Sequence, residues 1–247
     1  MKDHPFTFSP LHPFMSSRIL TFIIVLYLLI GIQYAALTPA WQVPDEPAHY
    51  NFIKHIAQTG MLPELKKGDY DQNYLARLTG EKFPSDLSID SVRYESWQPP
   101  LYYILATPIF LIFNGALLPL RIFSLLLGAG VIIFAYLAVS EAIPNPQSPI
   151  SNLQSPTSNL QPLIAAAFIA FVPQHIAMMA GVNNDSLSEL IIAIGLWQVL
   201  RIANKDLKLK VGSWDFGILG ILLGIAFITK SHAYLLAPVA LVMLLLR

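Results

Sequence analysis

Cysteine is absent from the 247 residues. Disulfide frameworks, thiolate-ligated zinc and thiol nucleophiles are thereby excluded, although the compartment is not fixed by that absence. Charge is scarce as well: 12% of the side chains are Asp, Glu, Lys or Arg, against about 25% in a soluble domain. Neither sign is in excess, with fifteen basic and fifteen acidic residues. A basic surface for nucleic acid and an acidic solvating tail are both missing.

Apolar residues are abundant: 55% of the chain is hydrophobic and the mean hydropathy is +0.56. They fall in blocks at about 19–38, 101–118, 119–141, 162–181, 186–203, 214–230 and 233–246, and apolar blocks near 20 residues read as membrane spans. The fold class expected is all-α, a polytopic transmembrane helical bundle. Residues 1–18 form a short polar N-terminus, and the block from Ile19 is too long for a signal-peptide core of about 7–15 residues. Between 142 and 161 the heptad Ser-Pro-Ile-Ser-Asn-Leu-Gln from Ser148 is followed by Ser-Pro-Thr-Ser-Asn-Leu-Gln. Repeated proline without charge or apolar period predicts a flexible loop that carries no chemistry.

Charge also orients the spans. Arg201, Lys205, Lys208 and Lys210 cluster in one short loop, which the positive-inside rule assigns to the cytoplasm, and Lys2 and Arg18 place the N-terminus there too. The loop 39–118 is then external. Seven crossings would put the basic loop outside, so one block must fail to cross. The block 101–118 is the weakest, because Pro108 interrupts it and Asn114, Gly115 and Pro119 follow. It is expected to be interfacial, with six spans (19–38, 119–141, 162–181, 186–203, 214–230, 233–247) alternating in direction. Asp45, Glu46, His49, Gln98, Arg121, Asn183, Asn184, Asp185, Lys230 and His232 then share the external face.

Each of these groups has a plain reading beside a chemical one. In Pro44-Asp45-Glu46-Pro47-Ala48-His49, Pro47 suits a first helical turn and Gly60 a helix stop, so the two acids could simply cap that helix. Trp97, Tyr102 and Tyr103 read as an aromatic belt at headgroup depth, with Gln98 among them. Asn183-Asn184-Asp185 is ordinary turn and N-cap chemistry, and Lys230, His232 and Arg121 are ordinary interfacial anchors.

Taken in order, these pieces resemble the GT-C superfamily of membrane glycosyltransferases, which includes protein O-mannosyltransferases and lipid A aminoarabinose transferases. The resemblance rests on Asp45-Glu46 after the first span, Pro99-Pro-Leu-Tyr-Tyr103, the Arg121-Ile-Phe-Ser-Leu-Leu-Leu-Gly128 run, Asn183-Asn-Asp185 and the ending Gly224-x-Ala-x-x-Thr-Lys230. Where the family often has His before the Pro-Pro element this chain has Gln98, and its Asp-Glu-Pro-Ala-His string is nearer a bacterial branch than the mannosyltransferases.

The resemblance implies transfer of a sugar from a polyprenyl-phosphate donor to a lipid, glycan or protein acceptor at the external membrane face. It implies Asp45 as general base supported by Glu46, and Arg121, Lys230 and His232 on the donor phosphate. Asp185, Asn184 and His49 would serve the acceptor or an optional divalent cation, magnesium or manganese. Trp97, Gln98, Tyr102 and Tyr103 would lie at the lipid interface. Family enzymes usually continue with further spans, so an N-terminal portion is expected. The rival readings are a transporter or lipid-carrier flippase, which would place ionisable groups near the midplane, and an inactive fragment.

Overall fold

The computed structural model describes residues 13–143, 160–204 and 213–246. Most of the tandem-heptad loop, together with Lys205, Lys208 and Lys210, lies outside the described residues. Among the described residues ten α-helices and one 3₁₀ turn follow one another, and no strand occurs.

Among the described residues three helices are long and apolar enough to cross a membrane: α1 (Pro13–Leu37), α5 (Leu117–Ala142) and α8 (Asp185–Asn204). A span needs about 20 residues because each adds 1.5 Å along the axis. A fourth candidate is the pair α6 (Gln161–Phe171) and α7 (Pro173–Met179), bent by 63°. The sequence reading has a span over 162–181; the structure has there a bent pair in place of one continuous helix. Pro173 has no N–H to continue the ladder, and it pushes Val172 out of the helical region to φ −68°, ψ 116°. α9 (Ser213–Phe227) has 15 residues, and α10 (Leu236–Leu245) follows a 3₁₀ turn over Ser231–Leu235; both are shorter than a full span.

The block at 101–118 contains the 12-residue helix α4 (Leu101–Ile112), too short to cross, in line with its interfacial assignment. Pro108 does not break it; the helix runs on and ends at Phe113. Asn114 and Gly115 take left-handed φ of 51° and 74°, and Gly115 N–H closes onto Phe110 O at 2.8 Å, a Schellman-type stop. The Tyr50 hydroxyl donates to Gly115 O at 2.8 Å, tying this end to α2 (Glu46–Thr59).

α5 is the central post, packed by α1, α6, α7 and α8. Close approach depends on glycine. A Cβ at Gly128 would lie 2.2 Å from Tyr27 Oη and 2.9 Å from Met179 Cγ, so α1 and α7 reach the α5 backbone only because no side chain stands there. Small residues serve this purpose in membrane bundles, where tight packing replaces the hydrophobic drive between helices. Large apolar side chains turn outward instead: Phe22 and Leu29 on α1, Leu126 on α5, Ile221 on α9 and Leu241 on α10 are all exposed. A surface of this kind suits lipid contact rather than water.

At one end of the bundle α2, α3 (Gln72–Gly80) and the 81–98 segment form a cap. A small core of Ala48, Leu78 and Val92 holds it together. Asn51 Nδ2 donates to Ile89 O and Val92 O at 2.6 and 2.9 Å, strapping that segment across α2.

Candidate functional site

Six separate stretches of chain meet at the capped end. They are the turn after α1, the start of α2, the segment before α4, the start of α5 with the α7–α8 junction, and the end of α9. Their register is fixed by backbone bonds; Leu101 N–H, for example, donates to Ile228 O at 3.0 Å. The sequence-predicted residues therefore do gather, but in two layers with different chemistry.

The inner layer is a closed lock. Glu46 and Arg121 are 0% and 3% exposed. Arg121 Nε donates to Glu46 Oε1 at 2.8 Å and Nη2 to Oε2 at 2.6 Å, a bidentate pair. Arg121 also donates to the carbonyls of Ala35, Thr38 and Pro39, which occupies all five of its N–H groups. Glu46 accepts in addition from Trp41 N at 3.0 Å and Val182 N at 3.2 Å. One ion pair thus ties α1, α2, α5 and the α7–α8 junction together. Arg121 keeps no donor for a donor phosphate in this arrangement, and Glu46 is enclosed.

The outer layer is open. Asp45 takes a left-handed backbone, φ 61° and ψ 0°, and makes no side-chain cap bond to α2. The capping reading of Asp45 is therefore corrected. Its Oδ1 accepts instead from the Tyr94 hydroxyl at 2.6 Å. Left-handed φ is tolerated by Asp better than by most residues, yet it still costs on the order of 1 kcal/mol, and such strain clusters at functional sites. Burial and the adjacent Asp45 carboxylate push the Tyr94 phenol well above its ordinary range, so it stays a donor.

Asp185, at the start of α8, pairs with Lys230 Nζ at 2.7 Å, and His232 Nε2 stands 3.7 Å from the same oxygen while bonding Ser188 Oγ at 2.7 Å. Asn183, not Asp185, turns its side chain to the helix start: its Oδ1 accepts from Ser186 N at 3.2 Å. Asn184 is fully buried; its Nδ2 donates to Gln98 Oε1 at 3.3 Å, and Gln98 Nε2 donates to Glu95 Oε2 at 2.7 Å. Asn184 Oδ1 is left buried without a hydrogen-bond partner. Burial raises the Glu95 carboxyl, with the Gln98 N–H opposing and Asp45 adding repulsion. His49 is buried with Nδ1 2.9 Å from Tyr103 Oη; desolvation and the Lys230 charge lower it to about 4, so it is neutral near pH 7.

The aromatic belt is corrected for two of its three members. Trp97 is 57% exposed, but Tyr102 and Tyr103 are both fully buried. Tyr102 bonds Ser124 Oγ at 2.7 Å, and Tyr103 stacks on Phe52 with centroids 3.7 Å apart. Their phenols find partners inside the bundle, so the rings have no need of the interface. Gln98 is nearly buried and bridges Glu95 to Asn184 instead of facing lipid.

Glu95 and Tyr94 were not among the sequence candidates. Glu95 stands three residues before Gln98, close to the Pro99–Tyr103 element; nothing in the spacing marks Tyr94, whose partner is 49 residues away. Among the described residues no group of three or more His, Asp or Glu side chains is set to hold a metal ion, so Asp185, Asn184 and His49 do not make a preformed cation cage. Compared with family models, curated proteins and solved structures, the chain finds no match in any of the three.

Proposed function

We propose that this chain is a membrane glycosyltransferase that moves a sugar from a polyprenyl-phosphate donor to a hydroxyl acceptor at the capped end of the bundle, which the basic 201–210 loop would make the external face. The observation that carries the reading is Asp45. It is an exposed carboxylate at the end of an apolar bundle, strained in its backbone, free of the capping bond, and held by one neutral phenol rather than by a cation. That is how a group kept available to take a proton would be arranged.

In the reaction, Asp45 takes the proton from the acceptor hydroxyl. The acceptor oxygen forms a bond to the anomeric carbon as the bond from that carbon to the phosphate oxygen breaks, and the lipid phosphate leaves with the electron pair. Lys230, flanked by His232, is the cation best placed to stabilise the leaving phosphate once Asp185 yields it. Glu46 and Arg121 position the α2 start that carries Asp45.

The test is transfer from a synthetic polyprenyl-phosphate hexose to a hydroxyl acceptor by the purified chain in nanodiscs. Asp45→Asn should abolish transfer while insertion and helicity are unchanged. Undiminished transfer by that variant removes Asp45 from the role.

One observation favours transport instead. His175 Nδ1 lies 3.5 Å from Glu189 Oε2 between α7 and α8, inside candidate spans, where ionisable groups commonly serve pathways. Glu189→Gln should leave transfer intact if the enzyme reading holds, and should abolish coupled flux if the chain is a transporter.

A further inference from the structure

His49 lies in the first turn of α2, almost fully buried, with Nδ1 2.9 Å from the Tyr103 hydroxyl. Tyr103 is itself fully buried and stacked on Phe52, and its hydroxyl has no other hydrogen-bond partner among the described residues. Burial holds this phenol well above its ordinary range, so the O–H keeps its proton. A buried O–H without an acceptor carries the full cost of leaving water, and His49 Nδ1 is the acceptor in reach. Nδ1 is then the bare, accepting nitrogen, which puts the proton of the neutral ring on Nε2. The reverse arrangement, Nδ1–H donating to the phenol oxygen, would strand the Tyr103 proton in an apolar core.

The Nε2 edge of the ring is not spent inside the protein. It makes no hydrogen bond among the described residues, yet the side-chain atoms sealed there without a partner are His175 Nε2 and Asn184 Oδ1, not this one. His49 Nε2 therefore reaches an opening. The charges that act on the ring are those of Lys230, Asp45 and Asp185, all members of the outer layer, so the opening belongs to the candidate site. Desolvation and the Lys230 charge keep the imidazole uncharged near pH 7. What faces the site is one neutral N–H on a fixed ring. Such a donor suits a hydroxyl oxygen, whereas a phosphate gains more from the Lys230 ammonium.

The position of the ring selects the hydroxyl. In a direct displacement the acceptor oxygen at Asp45 and the phosphate at Lys230 lie on opposite faces of the anomeric carbon, so the transferred sugar sits between those two residues. His49 is within the field of both. We propose that Tyr103 holds His49 as the Nε2–H tautomer, and that this N–H donates to a hydroxyl oxygen of the transferred sugar and orients it for displacement. Tyr103 is then a positioning residue acting through His49. The choice of that sugar as ligand rests on the transferase reading; the tautomer does not.

Nitrogen NMR on the full chain in nanodiscs, isotope-labelled at the ring nitrogens of its six histidines, tests both statements. His49→Gln identifies the His49 signals by their loss. In the parent near pH 7 the ring should show a protonated Nε2 and a bare Nδ1 shifted by an accepted hydrogen bond. Tyr103→Phe should move the Nδ1 signal to that of an imine nitrogen without a hydrogen bond. A proton on Nδ1 in the parent overturns the proposal whether or not that variant folds, and so does an Nδ1 signal indifferent to Tyr103→Phe. Adding a synthetic polyprenyl-phosphate hexose should shift the Nε2–H signal, whereas the matching sugar-free polyprenyl phosphate should not. An equal shift with both lipids would put the ring on the phosphate and overturn the sugar contact, as would no shift with the hexose. None of these signals needs turnover. Transfer that persists in Asp45→Asn counts against the catalytic reading alone, and an unmoved Nε2–H in a chain that does transfer counts against this contact alone.

Discussion

Arg121 and Glu46, 75 residues apart, form a bidentate ion pair whose remaining hydrogen bonds go to the backbone of two other segments, 35–41 and Val182. Two charges removed from water this completely are stable only because every donor and acceptor is matched. The pair fixes where the turn after α1 sits, and so where Asp45 emerges.

Breaking that pair is expected to be costly in a specific way. Glu46→Gln turns one acceptor into a donor facing N–H groups, and should destabilise the protein by about 3–5 kcal/mol, the range for losing one partner of a buried pair. An apolar double replacement, Glu46→Leu with Arg121→Met, should not recover it, because the carbonyls of Ala35, Thr38 and Pro39 and the N–H groups of Trp41 and Val182 lose their partners together. Thermal unfolding in micelles measures both; a double variant as stable as the parent would show that the backbone bonds contribute little.

Tyr94→Phe deletes only the hydroxyl that donates to Asp45 at 2.6 Å. A charged-group hydrogen bond of about 1.5 kcal/mol corresponds to roughly tenfold in rate. The expected outcome is a kcat lowered by about that factor with the donor KM unchanged. A change confined to KM would assign Tyr94 to binding rather than to orienting the carboxylate.

His49 should make stability depend on pH in the acid range. Its pKa falls from 6.5 in the unfolded chain to about 4 in the fold, so between those values the unfolded state binds more protons and stability rises with pH. The contribution is fully present above pH 6.5 and is lost as pH falls toward 4, on the order of 3 kcal/mol in all. The Lys230 charge adds to this lowering of the pKa, while the Asp45 and Asp185 carboxylates oppose it. The difference in unfolding temperature between parent and His49→Gln, followed from pH 7 to pH 4, should narrow as the pH drops; a difference independent of pH contradicts the assignment.

Gly128→Ala should destabilise by about 1–3 kcal/mol, since its methyl group would overlap Tyr27 and Met179. Gly224→Ala is the control: nothing lies within 4 Å of a Cβ there, and a helical glycine replaced by alanine gains roughly 0.5–1 kcal/mol. Equal effects at the two sites would mean that α1, α5 and α7 are not packed as described.

Orientation is accessible because the chain has no native cysteine. Single cysteines at Ser88 and Ser231, both exposed at the capped end, should be labelled from the same side in intact cells. A cysteine at Asn204, whose side chain reaches Glu141 O at the opposite end, should be protected. Labelling of Ser88 and Ser231 from opposite sides would divide the proposed site.

Much of the framework could be read directly. The Gly60 stop, the Pro47 start and the short α4 follow from local rules that act within a turn or two of chain. The break at Pro173 obeys the same rules and was legible too, but the apolar run across it masked the signal, because hydropathy alone does not record a missing N–H. A count of six crossings placed Asp45, Asn184, Asp185, Lys230 and His232 together, whereas the described residues hold three helices of spanning length, or four with the bent pair.

What could not be read was which of those polar groups face each other. Composition and hydropathy indicated a helical chain with apolar helices long enough to cross a membrane, because burying backbone polar groups in lipid leaves few alternatives. Only the tertiary structure decided that Arg121 is spent on Glu46, that Tyr102 and Tyr103 turn inward, and that Asp45 is left to Tyr94. Those choices depend on side-chain distances across 22 to 86 residues of sequence. Hydrogen bonds of about 3 Å decide such pairings, and no period or motif in a chain encodes a distance of that kind.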